Sequence, residues 1–154
     1  MANQQFVIFD LNNESFGIAI TQIREIIKPV EIFKVPDTPT YIEGLINLRG
    51  KVHTVFNLRK KLNLPPKEID DTAKIIIVSF NDTPIGFVVD EVNEIIRVED
   101  ESIEPAPQSI SSVNVKFISG VAKVEDKIIL IFDLQNALSQ SDEKEIMRAV
   151  SYGI

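Results

Sequence analysis

The side chains able to do chemistry are few. His53 is the only histidine and there is no cysteine in the 154 residues, so thiolate nucleophiles, disulfides and cysteine-ligated zinc or iron–sulfur sites are excluded. A single imidazole would have to serve as any histidine base. His53 lies in Val52-His53-Thr54-Val55-Phe56, where it alternates with apolar residues; an ordinary strand residue is the simpler reading. No G-x-S-x-G, Walker A, G-x-G-x-x-G or H-E-x-x-H pattern occurs. Glu25 and Glu94 could be paired carboxylates for acid/base work, but they occupy equivalent places in an internal repeat and read more simply as matched turn residues. The acidic run Asp90, Glu91, Glu94, Glu99, Asp100, Glu101, Glu104 lacks the D-x-D-x-D-G spacing of a calcium loop and reads as a solvated face. No catalytic set, metal site or cofactor is expected.

Charge narrows the partners. The net charge is −7, and residues 71–154 hold seven Lys/Arg against fifteen Asp/Glu, whereas residues 1–70 hold nine against eight. Only Arg59-Lys60-Lys61 resembles the basic face that a phosphate backbone requires. A nucleic-acid-binding small barrel, with basic and aromatic residues interleaved on its strands, is thus the weaker alternative. One cation stands apart. In Asn47-Leu48-Arg49-Gly50 an arginine sits beside a glycine in a turn between apolar segments, whereas the matching turn of the repeat, Lys123-Val124-Glu125-Asp126, carries the opposite charge. The arginine is therefore not simply what the turn needs, and its planar fork suits an interface.

The elements that must position these residues are strands. Ile and Val number 39, concentrated in short runs bounded by Asn, Asp, Gly and Pro. Strands are expected at 6–11, 16–20, 51–56, 74–80, 85–89, 115–118, 120–124 and 127–132, too closely spaced for βαβ crossovers. Asn12-Asn13-Glu14, Asn81-Asp82-Thr83 and Glu125-Asp126 are hairpin signals. Short helices are expected from Asn57 or Leu58 to Leu62, over 134–138, and at about 142–150, where Asp142-x-x-Glu145 has capping-box character. The N-terminus has no signal-peptide pattern and no apolar run nears the roughly 18 residues of a membrane span, which points to a cytoplasmic protein without direct membrane insertion.

The chain repeats itself. Residues 6–27 align on 75–96 without a gap, with Asn12/Asn81, Gly17/Gly86, Glu25/Glu94, Ile26/Ile95 and Ile27/Ile96 identical. Residues 41–62 align on 117–138, where Ile42/Ile118, Gly44/Gly120, Lys51/Lys127, Phe56/Phe132, Leu58/Leu134 and Leu62/Leu138 match. The expected fold is all-β: two small barrels, one per copy, as subdomains of about 6–70 and 71–138 in a single 1–154 domain. Such modules bury one face by curling, and the crevice between them would form a groove.

The ordered stretches FVIFDL, FGI, I-x-EII, VPDTPTYIEGLINLRGKV, IGFVVDEV-x-EIIR, PAP and ISGVA…ILIFDL resemble the CheW family of bacterial chemotaxis adaptors, over Phe6 to about Leu138. The fold of that family also forms the regulatory domain of the histidine kinase CheA and part of CheV. The resemblance implies two five-stranded SH3-like β-barrels and a non-catalytic role at receptor arrays of the inner membrane. There such a protein bridges the cytoplasmic tip of methyl-accepting chemoreceptors to the regulatory domain of CheA; an adaptor of a non-flagellar signalling array is the alternative within the family. It implies receptor contacts at Ile23, Glu25, Gly44, Arg49 and Ile95, and kinase contacts at Val7 and Ile20 as exposed apolar strand residues. A second kinase contact is implied near 105–107. The chain departs from the family pattern at His53-Thr54, where an apolar-Pro pair is frequent, and at Ser109, where a bulky residue can occur.

Overall fold

A computed structural model describes residues 2–106 and 117–138, together with 142, 144 and 146. Its strands are β1 (Asn3–Leu11), β2 (Glu14–Ala19), β3 (Ile23–Ile27), β4 (Ile42–Leu48), β5 (Lys51–Asn57), β6 (Lys74–Phe80), β7 (Thr83–Val89), β8 (Glu91–Glu99), β9 (Ile103–Glu104), β10 (Ile118–Val124) and β11 (Lys127–Phe132). The helices α1 (Leu58–Lys61) and α2 (Leu134–Ala137) follow β5 and β11. The asparagine turns do what their residue types suggest. Asn12 and Asn13 (φ 52° and 65°) and Asn81 and Asp82 (φ 49° and 66°) supply the two left-handed residues that a two-residue hairpin of the correct twist needs. Asn57 and Asp133 cap the helices, each accepting the backbone N–H three residues on at 3.1 Å. The expected strands at 115–118 and 120–124 are one strand from Ile118, with a register slip at Gly120; 115 and 116 lie outside the described residues.

Four strands escaped the sequence pattern. β3, β4, β8 and β9 carry Arg24, Glu25, Glu43, Glu94, Arg97 and Glu104 among their apolar residues, and β3 and β8 lie at sheet edges with one face open. An edge strand needs neither a continuous nor a cleanly alternating apolar pattern.

The two sheets do not follow the two copies. One has the order β8-β1-β2-β11-β10-β9 and the other β3-β6-β7-β5-β4, so each half expected as a subdomain, 6–70 and 71–138, contributes strands to both. Hairpin β1–β2 of the first copy lies in the sheet of β8–β11, and hairpin β6–β7 of the second lies in the sheet of β3–β5. The exchange is symmetric: β2 pairs in parallel with β11, and β7 in parallel with β5. Closure is matched too. The chain leaving β3 returns along β4 through the Phe33–Leu45 bridge, with both hydrogen bonds at 2.8 Å, as the chain leaving β8 returns along β10 through β9.

Burial explains the exchange. In β1, Phe6 and Ile8 face the interior of the six-stranded sheet, while Val7, Phe9 and Leu11 face a second core. In β6, Ile75 and Ile77 fill the five-stranded sheet, while Ile76, Val78 and Phe80 join that same second core. Runs such as FVIF, IIIV and ILIF are apolar throughout because both faces are covered. The crevice expected between the barrels is thus a packed layer, crossed by Phe56–Phe87 and Phe87–Phe132 ring contacts, each 5.7 Å between centroids; edge-to-face and offset pairs add about 0.5–1.5 kcal/mol each to burial.

At the exchange point between β7 and β8, half-buried Asp90 ties the sheets together. It accepts from Asn12 N–H (3.0 Å) and from Arg59 Nε and Nη2 (both 2.8 Å), and its own N–H donates to the Asp10 carbonyl at 3.1 Å. Burial pushes its carboxyl pKa up, but the hydrogen bonds from Arg59 and Asn12 win and hold it below the usual value. Asp142, Lys144 and Ile146 are helical, with the rest of 139–154 outside the described residues. Ile146 enters the shared core, and the fully buried Asp142 accepts from Tyr41 Oη at 2.7 Å and Lys61 Nζ at 2.6 Å. Among the described residues no helix is long and apolar enough to cross a membrane, and no His/Asp/Glu group could hold a metal ion.

Candidate functional site

Glu25 and Arg49 meet at the seam where the five-stranded sheet closes. Glu25 lies on β3, one edge of that sheet, and Arg49 in the turn after β4, the other edge. Arg49 (φ 53°) and Gly50 (φ 84°) both adopt left-handed backbone, and Asn47 Oδ1 secures the turn by accepting the Gly50 N–H at 2.9 Å. The guanidinium then reaches Glu25 with two parallel bonds, Nη1 to Oε1 at 3.1 Å and Nη2 to Oε2. The hydrogen bonds from Arg49 hold the Glu25 carboxyl below its usual pKa, and those to Glu25 raise that of Arg49.

The arginine side chain is 69% exposed. Water screens such a pair, so its contribution to stability is small. The repeat supplies an internal control. The six-stranded sheet closes with Glu94 and Glu125 at the matched places, and Glu125 takes the same left-handed turn (φ 56°) with no salt bridge among the described residues. Closure therefore does not require the ion pair, which stands exposed on the seam.

The other expected contact residues are placed unevenly. Gly44 (φ 145°) is buried under the closing bridge, where an added Cβ would run into the Phe33 carbonyl; it shapes the seam and offers no side chain. Ile23 is half-buried and packs on the shared core, whereas Ile26, beside Glu25 and not singled out from the sequence, is 37% exposed. Strand alternation was the available signal, since Arg24 and Ile26 share the outward face. Ile95 is 55% exposed but stands on β8 of the other sheet, opposite Val7.

Val7 corrects an expectation. It is 2% exposed and belongs to the shared core, so the exposed apolar patch expected at this strand is absent there. Both faces of β1 are covered because its hairpin is exchanged. Ile20, in a 3-10 turn after β2, is half-buried. Pro105 is exposed and Ala106 packs on the core, while Pro107 and Ser109 lie outside the described residues.

Two barrels that exchange hairpins, with an oriented ion pair on an exposed seam, define the class as an all-β double-barrel protein. Comparison with known proteins gives the family. The CheW-like domain model matches residues 5–142. The chain is 36% identical to the chemotaxis protein CheW of Bacillus subtilis, over 92% of this chain and 90% of that one, and 33% identical to CheW of Helicobacter pylori, over 88% and 82%. The crystal structure of scaffolding protein TtCheW from Thermoanaerobacter tengcongensis superposes with a TM-score of 0.85 at 35% identity, covering 92% of this chain and 96% of that one. The chain belongs to the CheW-like family, and its role is that of a non-catalytic chemotaxis adaptor.

Proposed function

We propose that this protein couples the cytoplasmic tip of chemoreceptors to the regulatory domain of the kinase CheA, in the cytoplasm at receptor arrays. The receptor is met by the seam of the five-stranded barrel, at Glu25, Arg49 and their neighbour Ile23, with Gly44 as backbone beneath and Ile95 as a second apolar contact. A receptor tip is a helical hairpin, and helix recognition wants apolar anchors flanked by oriented charges. The observation that carries this reading is the exposed Arg49–Glu25 fork, which the matched seam of the other barrel does without. The kinase is met near Ile20. Val7 acts only from beneath, by supporting β1.

Co-sedimentation with receptor-containing membranes and CheA, joined to a kinase assay, tests the proposal. Folded protein should enter the complex in stoichiometric amounts and bring the kinase under receptor control. Failure of folded protein to bind either partner removes the adaptor role.

A further inference from the structure

The Arg49 turn differs from its counterpart in more than the arginine. In Asn47-Leu48-Arg49-Gly50 both turn residues are left-handed, Arg49 at φ 53° and Gly50 at φ 84°, whereas in Lys123-Val124-Glu125-Asp126 only Glu125 is, at φ 56°. A Cβ on Gly50 would meet nothing within 4 Å, so the backbone angle, and not space, keeps a glycine there. In that conformation the Gly50 N–H donates to Asn47 Oδ1 at 2.9 Å. The residue matched to Asn47 is Lys123, whose ammonium only donates. Its strands nevertheless pair up to the turn, Val124 with Lys127, as Leu48 does with Lys51. The hairpin thus forms without an acceptor at this place. Asn47 and Gly50 are surplus to the hairpin as the ion pair is surplus to closure, and they occur in the same copy as Arg49.

The demands of the fork account for the coincidence. Two parallel bonds to Glu25 require the guanidinium and the carboxylate to share a plane, and Glu25 stands on the opposite edge of the sheet. The Arg49 side chain is 69% exposed, so little packing orients it. What aims it is the direction in which it leaves the backbone, and the turn sets that direction. We infer that Asn47 is a positioning residue, which by accepting the Gly50 N–H holds the turn that aims the Arg49 guanidinium at Glu25 in its two-bond geometry. Asn47 acts through Arg49 and touches no partner itself; its consequence for the receptor rests on the reading of the seam proposed above.

The hydrogen bond from Arg49 is the largest influence holding the Glu25 carboxyl below its usual pKa. Titration of Glu25, followed by side-chain carbon NMR on the full chain, therefore reports the fork directly. Asn47→Ala, at an exposed position, should leave the melting temperature nearly unchanged and raise the Glu25 pKa toward its value in Arg49→Ala. Asn47→Ser, which keeps a neutral acceptor for the N–H three residues on, should restore most of the depression. In the Arg49→Ala background Asn47→Ala should leave Glu25 where it is, because the two residues act on it as one unit. A Glu25 titration unmoved by Asn47→Ala, moved equally by Asn47→Ser, or moved further in the Arg49→Ala background overturns the inference.

Co-sedimentation with receptor-containing membranes separates this inference from the reading on which it rests. Asn47→Ala should weaken receptor binding about threefold, the worth of a modest hydrogen bond, and Asn47→Ser should recover it. Wild-type binding by Asn47→Ala where Arg49→Ala has lost it overturns the positioning role. If Glu25 responds as expected while Asn47→Ala and Arg49→Ala both bind receptor as the parent does, Asn47 positions the fork and the seam is not the receptor surface.

Discussion

Replacing Val7 separates a surface role from a structural one. Val7 and Ile95 are direct cross-strand neighbours, yet one is 2% exposed and the other 55%. They share a face of the sheet, and that face is covered over β1 but open at the edge strand β8. Val7→Ala removes two buried carbons at about 0.8 kcal/mol each. With the cavity left behind, the loss comes to about 2–3 kcal/mol, or roughly 5–10 °C in melting temperature for a chain of this size. Val7→Asp places a carboxylate among the apolar side chains of the shared core. Its cost is several kcal/mol more against a total stability of about 5–15 kcal/mol, so little folded protein should survive. Ile95→Asp should shift the melt by no more than about 0.5 kcal/mol. Thermal and urea melts followed by circular dichroism decide the matter. A folded Val7→Asp protein with a near-native melt and selectively lost kinase binding would refute the buried assignment and restore the surface patch.

Arg49→Ala should melt within a few degrees of the parent yet lose receptor-dependent kinase control in a reconstituted assay, and Arg49→Lys should restore it only in part, because an ammonium keeps the charge without the fork. A large drop in melting temperature with normal control of the remaining folded protein would make Arg49 structural. Gly44→Ala forces φ 145° and a Cβ against the Phe33 carbonyl; it should cost more than about 1 kcal/mol and, through the seam, weaken receptor binding, as urea melts and co-sedimentation would show. Asp90 has a folded pKa below its unfolded value, so its stabilisation is complete above about pH 4 and is lost as pH falls through the folded value. Asp70, lowered to about 2 by the Thr72 hydroxyl and N–H, titrates on the same acid side. Asp90→Asn should therefore destabilise at pH 7 and flatten the acid limb of stability against pH, whereas an unchanged limb would remove Asp90 as its cause.

Local chemistry was legible because it acts over a few residues. Asn12-Asn13 and Asn81-Asp82 specify left-handed hairpin turns by residue type, Asn57 and Asp133 specify helix caps, and β-branched runs specify central strands. The duplication and the family were legible for the same reason, since both are statements about residue order. The seam was half legible: the Arg49–Glu125 contrast marked the arginine as surplus to its turn, but its partner Glu25 lies 24 residues away across a closure that no local pattern encodes.

Which copy each hairpin joins was decided only by tertiary structure. The strands of the two copies match closely enough that β1–β2 could lie in either sheet on pattern alone. The exchange lets the apolar sets on both faces of β1 and β6 be buried at once. Burial of Val7 and the filled layer between the barrels both follow from that exchange and from the packing around it. They depend on what lies above and below a strand, and a sequence states only what lies before and after it.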